Sequence, residues 1–184
     1  MATLIDSYPE SNQSTTSEVF GVRKWGQSFH CTNEVVLNSV RFYIRKIGTP
    51  SGNVNAYIYA HTGTYGTDSN ITGSPLAISD DIVASSLSTT LTLQSFTFSG
   101  ANAITFSAST NYVAILSAPD AEDTSNYVMV GRDTTSPTHA GNAVYFIASW
   151  VGDSSIDVCF YVYGEGDAPA SVTGPFPTSR LDLL

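Results

Sequence analysis

The chain has 184 residues, of which 42% are hydrophobic, and its sixteen acidic and seven basic residues give a net charge of −9. This length suits one domain with a sizeable core, while the scarcity of Lys and Arg argues against a nucleic-acid partner, because phosphate binding needs clustered basic residues. No stretch approaches the roughly 20 apolar residues of a membrane span, so a membrane partner is not expected.

The first 24 residues are predicted to form an N-terminal arm. They are polar and irregular, except that residues 4–8 could add an edge strand. They also lack the basic and apolar regions of a signal peptide. We therefore expect synthesis in a host cytoplasm. Alternating residues from Trp25 to Cys31 then predict the first strand of the main domain.

The stretch from Val35 to Ala60 has the clearest strand periodicity. Its first half alternates inward and outward positions at Val40, Arg41, Phe42, Tyr43, Ile44 and Arg45. Its second half repeats the pattern at Val54, Asn55, Ala56, Tyr57, Ile58 and Tyr59. Residues 48–52 between them, GTPSG, are turn formers. The pattern predicts an antiparallel β-hairpin with one buried face.

Short apolar segments continue to the end of the domain, after a Gly- and Thr-rich loop at residues 61–75. They predict strands at residues 76–83, 90–98, 104–106, 111–118, 127–131, 142–150 and 156–163. Residues 111–118 are almost continuously apolar, which is typical of a central strand buried on both faces. No helical period occurs. The fold class is therefore predicted to be all-β, an antiparallel β-sandwich of jelly-roll type spanning residues 25–164.

Residues 165–184 differ in composition and are predicted to form an extended, Pro-rich C-terminal arm. Three prolines favour an extended chain, and its large apolar side chains include Phe176, Leu181, Leu183 and Leu184. We expect these side chains to pack on the domain or on neighbouring subunits as an assembly arm.

The two cysteines are predicted to be free thiols. Cys31 shares the inward parity of Phe29, whereas Cys159 alternates with Val158 and Phe160 and should face outward. Residues on opposite faces cannot be bridged without moving the backbone.

Several segments resemble one class of module. They are GQSF from Gly26, LNSVRFYIRKIGTPSGNVNAYIY from Leu37, TGTYGT from Thr62, SPLAIS from Ser74, ASSLST from Ala84, TNYVAILSA from Thr110, SNYVMVG from Ser125 and DVCFYVYG from Asp157. Together they resemble jelly-roll β-sandwich modules of phage virion proteins and of secreted bacterial proteins, many of which are carbohydrate-binding or adhesion domains. The resemblance covers about residues 25–164.

This resemblance and the absence of a signal peptide lead to two functional hypotheses. The first is a non-enzymatic structural protein of a phage virion, a head-decoration or tail-associated subunit that packs against other virion proteins as a homo-oligomer. The alternative is a carbohydrate-binding or adhesion module for a cell-surface glycan. Proteins with this sandwich fold have many unrelated functions, so the two hypotheses have to be distinguished by the surface residues.

The outward-facing residues of the hairpin and of the last strand form the candidate interface or glycan-binding site. They are Arg41, Tyr43, Arg45, Asn55, Tyr57, Tyr59, Tyr161 and Tyr163. Tyr and Arg are enriched in subunit interfaces, and aromatic rings with polar neighbours equally suit sugar stacking. Cross-strand aromatic pairing on an ordinary wet sheet is the third interpretation.

One loop is a candidate site for structural calcium. Asp120, Glu122 and Asp123 place three carboxylates close together, and Ca²⁺ prefers several oxygen ligands from one loop. The alternative is a solvated acidic turn. No other cofactor is expected.

Catalysis is not expected either. The sequence has no nucleophile-elbow GxSxG, phosphate loop, HExxH or paired CxxC motif. The histidines, His30, His61 and His139, lie in unrelated segments and are interpreted as surface or loop residues.

Overall fold

The computed structural model describes residues 2–121 and 124–166. Within these ranges the chain is almost entirely β-structure, and the helical residues are confined to three 3₁₀ turns, Glu10–Asn12, Ala84–Ser86 and Gly100–Asn102. The predicted all-β class is confirmed. None of the helical turns in these ranges has the length or hydropathy to cross a bilayer.

Fifteen strands are formed by the described residues. They are, in chain order, β1 (Thr3–Tyr8), β2 (Thr15–Val19), β3 (Lys24–Cys31), β4 (Val35–Ile47), β5 (Asn53–Thr62), β6 (Asn70–Ile78), β7 (Ile82–Val83), β8 (Thr92–Thr97), β9 (Thr105–Phe106), β10 (Thr110–Ser117), β11 (Tyr127–Asp133), β12 (Ala143–Phe146), β13 (Trp150–Asp153), β14 (Asp157–Val158) and β15 (Phe160–Glu165).

The strands form two antiparallel sheets that pack as a sandwich. The first sheet has the order β1-β15-β4-β11-β14, with β2 beside β11 and with β8 and β9 beside β4. The second has the order β13-β12-β3-β10-β5-β6, with β7 beside β5. The predicted antiparallel sandwich is confirmed, and this order is compatible with the predicted jelly-roll type.

The predicted hairpin is wrong, because β4 and β5 belong to different sheets. The connection at residues 48–52 carries the chain across the sandwich, with Gly48 and Gly52 at positive φ values of 62° and 68°. Phe42 of β4 and Ile58 of β5 are both fully buried and face the core from opposite sides. Alternation reports that a strand has one buried face, and it does not identify the strand's partner.

The core lies between the two sheets and is rich in phenylalanine. The fully buried phenylalanines are Phe29, Phe42, Phe96, Phe106 and Phe160. Phe29 of the second sheet contacts Phe106 of the first with ring centroids 5.5 Å apart. Because burying each such ring contributes roughly 1.5–3 kcal/mol, these residues join the two sheets into one unit.

The segment predicted as an N-terminal arm contributes two strands to the first sheet. β1 pairs with β15 at the edge of the sheet, as predicted for residues 4–8, and β2 pairs with β11. At the end of β1, Tyr8 is buried and its Oη donates a hydrogen bond of 2.8 Å to Asp133 Oδ2.

Both cysteines are free, as predicted, but the prediction that Cys159 faces solvent is wrong. Cys31 and Cys159 are both buried. The N-terminal segment lies over this part of the first sheet, where Tyr161 Oη donates a hydrogen bond to Glu10. Burial, followed by the charges of Asp133, Glu10 and Asp157, raises the pKa of the Cys159 thiol to about 12.

Candidate functional site

The residues predicted to share one outward face lie on opposite sides of the molecule. Arg41, Tyr43, Arg45, Tyr161 and Tyr163 lie on the outer face of the first sheet, whereas Asn55, Tyr57 and Tyr59 lie on the outer face of the second. The prediction of one combined surface is therefore wrong, because the chain crosses from one sheet to the other between β4 and β5. Each half has to be considered separately.

The side chains on the first sheet contact one another. The Arg41 guanidinium lies 4.8 Å from the centroid of the Tyr163 ring. Tyr161 and Tyr163 are nearly parallel, with centroids 6.4 Å apart, and Tyr161 Oη donates a hydrogen bond of 2.6 Å to Glu10 Oε2. Burial, and then this hydrogen bond, raises the pKa of Tyr161 to about 12. These contacts match cross-strand pairing on a sheet face.

The second sheet has a small apolar cluster on its outer face, separate from the core. Its buried members are Tyr59, Val113, Ile115 and Val144, and Tyr57, Ile71 and Trp150 pack against them. The opposite side chains of β10, including Ala114 and Leu116, belong to the main core. The prediction that this strand is central and buried on both faces is confirmed.

The second sheet curls so that this outer face is concave. Trp150 of β13 and Tyr59 of β5 have ring centroids 6.0 Å apart, although three strands lie between them in the sheet order. Four strand spacings would separate their backbones by about 19 Å in a flat sheet. At the edges the backbones meet, because a Cβ added to Gly152 of β13 would collide with the Ser69 carbonyl oxygen, next to β6.

A groove of about 560 Å³ opens on this concave face. The side chains that give it its character are Lys24, Tyr59, Ile71, Pro75, Phe146 and Trp150. They come from β3, β5, β6, β12 and β13, so the groove exists only when these strands are assembled. We call it the aromatic groove.

Aromatic rings form the walls of the groove, and the angles between neighbouring rings differ. Phe146 and Trp150 are 5.3 Å apart at 65°, and Trp150 meets Tyr59 at 60°. Tyr57 and Tyr59, on one face of β5, are inclined by only 22°. Burial raises the pKa of both tyrosines, with smaller contributions from Asp81 and Asp120 at Tyr57. Their hydroxyls therefore stay protonated at neutral pH and can donate hydrogen bonds.

The loop predicted at residues 61–75 closes the other end of this face. Ser69 N donates a hydrogen bond of 3.2 Å to the buried Asn142 Oδ1. Tyr65 contacts His30 and His61, with centroids 6.3 Å and 5.9 Å away. Two of the three histidines therefore come together around one tyrosine. Part of the loop, residues 70–75, belongs to β6 and borders the groove.

The third histidine, His139, lies in the loop between β11 and β12, as expected for a surface or loop residue, but its side chain is only 6% exposed and belongs to a polar cluster on the inner side of β3. His139 Nδ1 accepts a hydrogen bond of 3.0 Å from Gly141 N, so Nε2 carries the proton directed at Asp6 Oδ1, 3.1 Å away. Gln27 Nε2 donates 2.8 Å to Asp157 Oδ1 in the same cluster. Burial raises the pKa of Asp157. The sequence contains no local signal for this cluster, whose members come from distant segments.

Two groups of predicted site residues fall wholly or partly outside the described residues. Asp120 is exposed, and its carbonyl oxygen accepts a 2.6 Å hydrogen bond from Ser51 Oγ, but Glu122 and Asp123 are not described. Within the described ranges no three His, Cys, Asp or Glu side chains form a metal site. Calcium binding stays a prediction. The arm residues Phe176, Leu181, Leu183 and Leu184 are likewise outside these ranges.

Sequence reasoning found Tyr57 and Tyr59 but missed the rest of the groove. Residues 142–150 were predicted as one strand, whereas β12 and β13 form a hairpin with Phe146 paired to Trp150. The signal available was the shared even parity of Val144, Phe146 and Trp150, which lie on the same outer face. Lys24 was assigned to the arm.

Another cavity, of about 390 Å³, lies beside β1 and the turn after β3. It is lined by the apolar residues Leu4, Ile5, Cys31 and Val35, and also by Gly166. It contains no aromatic ring and no charged group except Glu34. The aromatic groove therefore offers the more developed recognition surface of the two.

Comparison with known proteins assigns no family to this chain. No protein-family model and no curated protein matches it. Among solved structures it is similar to a chain with the cysteine protease and lectin-like domains of Cwp84, a surface layer associated protein of Clostridium difficile. The similarity has a TM-score of 0.49 and 9% identity, and covers 84% of this chain but 33% of that one. This chain thus spans about a third of that protein chain, and the similarity supports no functional assignment.

Proposed function

We propose that this protein is a carbohydrate-binding module and that the aromatic groove is its binding site. The observation that carries the proposal is the concave arrangement of Tyr59, Phe146 and Trp150 on the outer face of the second sheet. Tyr59 and Trp150 belong to a cluster that is separate from the core, and all three rings line the groove. Exposed aromatic rings on a concave surface are typical of ligand-binding sites, because a ligand buries apolar area that is otherwise exposed to water.

Sugars fit this surface for a chemical reason. The axial C–H groups of a pyranose ring form an apolar patch that packs on the electron-rich face of an aromatic ring, while its hydroxyls need hydrogen-bond partners at the edge. The Lys24 ammonium and the tyrosine hydroxyls are such partners. The groove volume of about 560 Å³ lies within the roughly 300–1,000 Å³ of small-ligand sites.

We further propose that binding occurs without catalysis. The side chains lining the groove are mostly aromatic, aliphatic or glycine, and Lys24 is the charged residue among them. The acid–base pair Asp6 and His139 lies on the inner side of β3, whereas the groove lies on its outer side. The virion role and homo-oligomeric assembly stay predictions, and they are compatible with a glycan-binding sandwich displayed on a particle.

The first test is glycan binding by groove variants. Glycan-array screening identifies a ligand, and calorimetry then measures Kd for Trp150→Ala and Phe146→Ala. We expect each variant to weaken binding at least tenfold, because the stacking surface is lost. Tyr163→Ala, a half-buried tyrosine on the opposite sheet, is the matched control and should retain wild-type affinity. Thermal melts confirm that the variants fold.

A fluorescence measurement tests the location directly. The protein has two tryptophans, and Trp25 is buried and stacked on Tyr145 at 4.4 Å. In Trp25→Phe, Trp150 is the only tryptophan, so a bound glycan should change its emission and protect it from quenching by acrylamide. Binding that leaves Trp150 emission and Trp150→Ala affinity unchanged would contradict the groove, and a protein that binds no glycan would contradict the function.

A further inference from the structure

We propose that Lys24 makes the aromatic groove selective for glycans that bear a carboxylate, such as uronic-acid oligosaccharides. This inference rests on the proposed function, since it concerns the ligand of the same groove. It assigns the rings to stacking and the ammonium to recognition of a negative charge. Lys24 is the charged side chain among those that line the groove, and no carboxylate of the described residues forms an ion pair with it.

Lys24 lies at the start of β3, on the outer face of the second sheet. It pairs with Phe146 of β12 in the strand register, and its Nζ lies 5.7 Å from the centroid of the Tyr57 ring. Lys24 also lines the groove, so its ammonium brings a positive charge to a wall whose other side chains are uncharged. A positive charge at this position meets any ligand that stacks on the rings.

The Lys24 ammonium has no carboxylate within ion-pair distance among the described residues. Contact with the face of Tyr57 stabilises the charge only in part. A ligand carboxylate would form the charge-assisted hydrogen bond that the protein itself does not provide.

The two acidic residues near Tyr57, Asp81 and Asp120, do not form an ion pair with Lys24. Asp81 accepts hydrogen bonds from Asn53 Nδ2 and Asn55 Nδ2, at 2.9 Å and 2.8 Å, with one oxygen each. Asp120 is exposed at the end of the neighbouring connection. Both act on the Tyr57 hydroxyl, whereas Lys24 lies over the Tyr57 ring. A ligand carboxylate therefore belongs at the Lys24 side of this ring.

The test compares matched ligands in which each carboxylate is either free and charged or neutralised as a methyl ester. Oligomers of galacturonic, glucuronic and mannuronic acid are each measured against their methyl esters by calorimetry. We expect wild-type protein to bind at least one acid at least tenfold more tightly than its ester. Lys24→Ala should weaken binding of the acid at least tenfold more than binding of the ester, and so remove this preference. Lys46→Ala, which removes the chain's second lysine, is the matched control and should retain the preference.

The outcomes separate the two proposals. Equal affinity of wild-type protein for acids and esters would overturn the selectivity while leaving glycan binding intact. Equal weakening of both ligands by Lys24→Ala would mean that Lys24 shapes the groove and does not read charge, which also overturns it. If Trp150→Ala does not weaken any glycan either, the groove itself is wrong.

Amine modification gives an independent measurement without substitution. Because Lys24 and Lys46 are the two lysines, mass spectrometry of reductively methylated protein reports on each separately. A bound uronic-acid oligomer should protect Lys24 at least tenfold and leave Lys46, which donates to the Ser85 carbonyl on the surface, unprotected. Equal modification rates of Lys24 with and without the oligomer would overturn the contact.

Discussion

Two glycines decide how closely the strands of the second sheet approach one another. A Cβ at Gly26 of β3 would collide with the Ala114 carbonyl oxygen and lie 2.7 Å from Ile115 Cδ1. Gly152 of β13 similarly allows backbone contact with Ser69. Missing side chains thus permit the curl that brings Trp150 over Tyr59 and give the groove its concave floor.

The substitution Gly26→Ala tests this residue-scale argument. We expect it to lower the free energy of unfolding by about 1–3 kcal/mol, because the added methyl overpacks the sheet, and to weaken glycan binding by displacing Ile115. Urea unfolding and calorimetry measure the two effects. Gly166→Ala is the control, since no atom of the described residues lies within 4 Å of a Cβ there. Wild-type stability in Gly26→Ala would mean that the strands can separate without cost.

At the scale of an element, β1 is held by charged side chains as well as by its ladder. Asp6 Oδ2 accepts a hydrogen bond of 3.0 Å from His30 N, and Oδ1 lies 3.1 Å from His139 Nε2. Tyr8 at the end of the strand donates to Asp133. An edge strand has one neighbour only, so Asp6 adds an attachment to β3 of the second sheet and Tyr8 adds one to β11 of the first.

The pH dependence of β1 follows from Asp6. Burial raises the pKa of Asp6, but its interactions with His139 and with the amides of His30 and Ser7 outweigh burial, so the pKa lies below 3.8. Such a carboxylate stabilises the fold above its unfolded pKa, near 3.9, and this contribution disappears as the pH falls through the lower folded value.

We therefore expect Asp6→Asn to cost about 1–3 kcal/mol at pH 7 and to lose less stability than wild type when the pH falls from about 5 to 2. Urea unfolding across this range measures the difference. Hydrogen exchange should be faster in β1 than in wild type, with the central strand β10 as the internal reference. Parallel pH profiles of the two proteins would show that Asp6 does not anchor the strand.

At the scale of the molecule, the sandwich has two outer faces with different properties. On the first sheet, Arg41, Tyr161 and Tyr163 contact one another or the N-terminal segment. On the second, the rings surround a groove. The strands that the described residues contribute to both sheets lie between Thr3 and Glu165.

A chain that ends at Gly166 should therefore fold. We expect its melting temperature to stay within a few degrees of the full chain, because the ladders and phenylalanine core lie before that residue. Light scattering of both chains tests the predicted assembly arm, since a full-length oligomer that becomes monomeric on truncation would support it. Identical masses would contradict that role, and an unfolded truncated chain would contradict the domain boundary.

The sequence by itself determined the class of structure and the position of most strands. Alternation at β4 and β5 correctly identified buried faces, and the continuous apolar run of β10 identified the central strand, because both patterns depend only on which side of a strand is dry. It also placed Tyr57 and Tyr59 outward. These are local properties, set by neighbours along the chain.

Only the tertiary structure decided which strands are partners, and with them the candidate site. Whether β5 pairs with β4 or crosses to the other sheet depends on contacts with β10, more than 50 residues away along the chain. The groove requires Lys24, Tyr59 and Trp150 from three distant segments and a curl permitted by glycines. Such a site has no sequence pattern of its own, because its geometry comes from long-range packing.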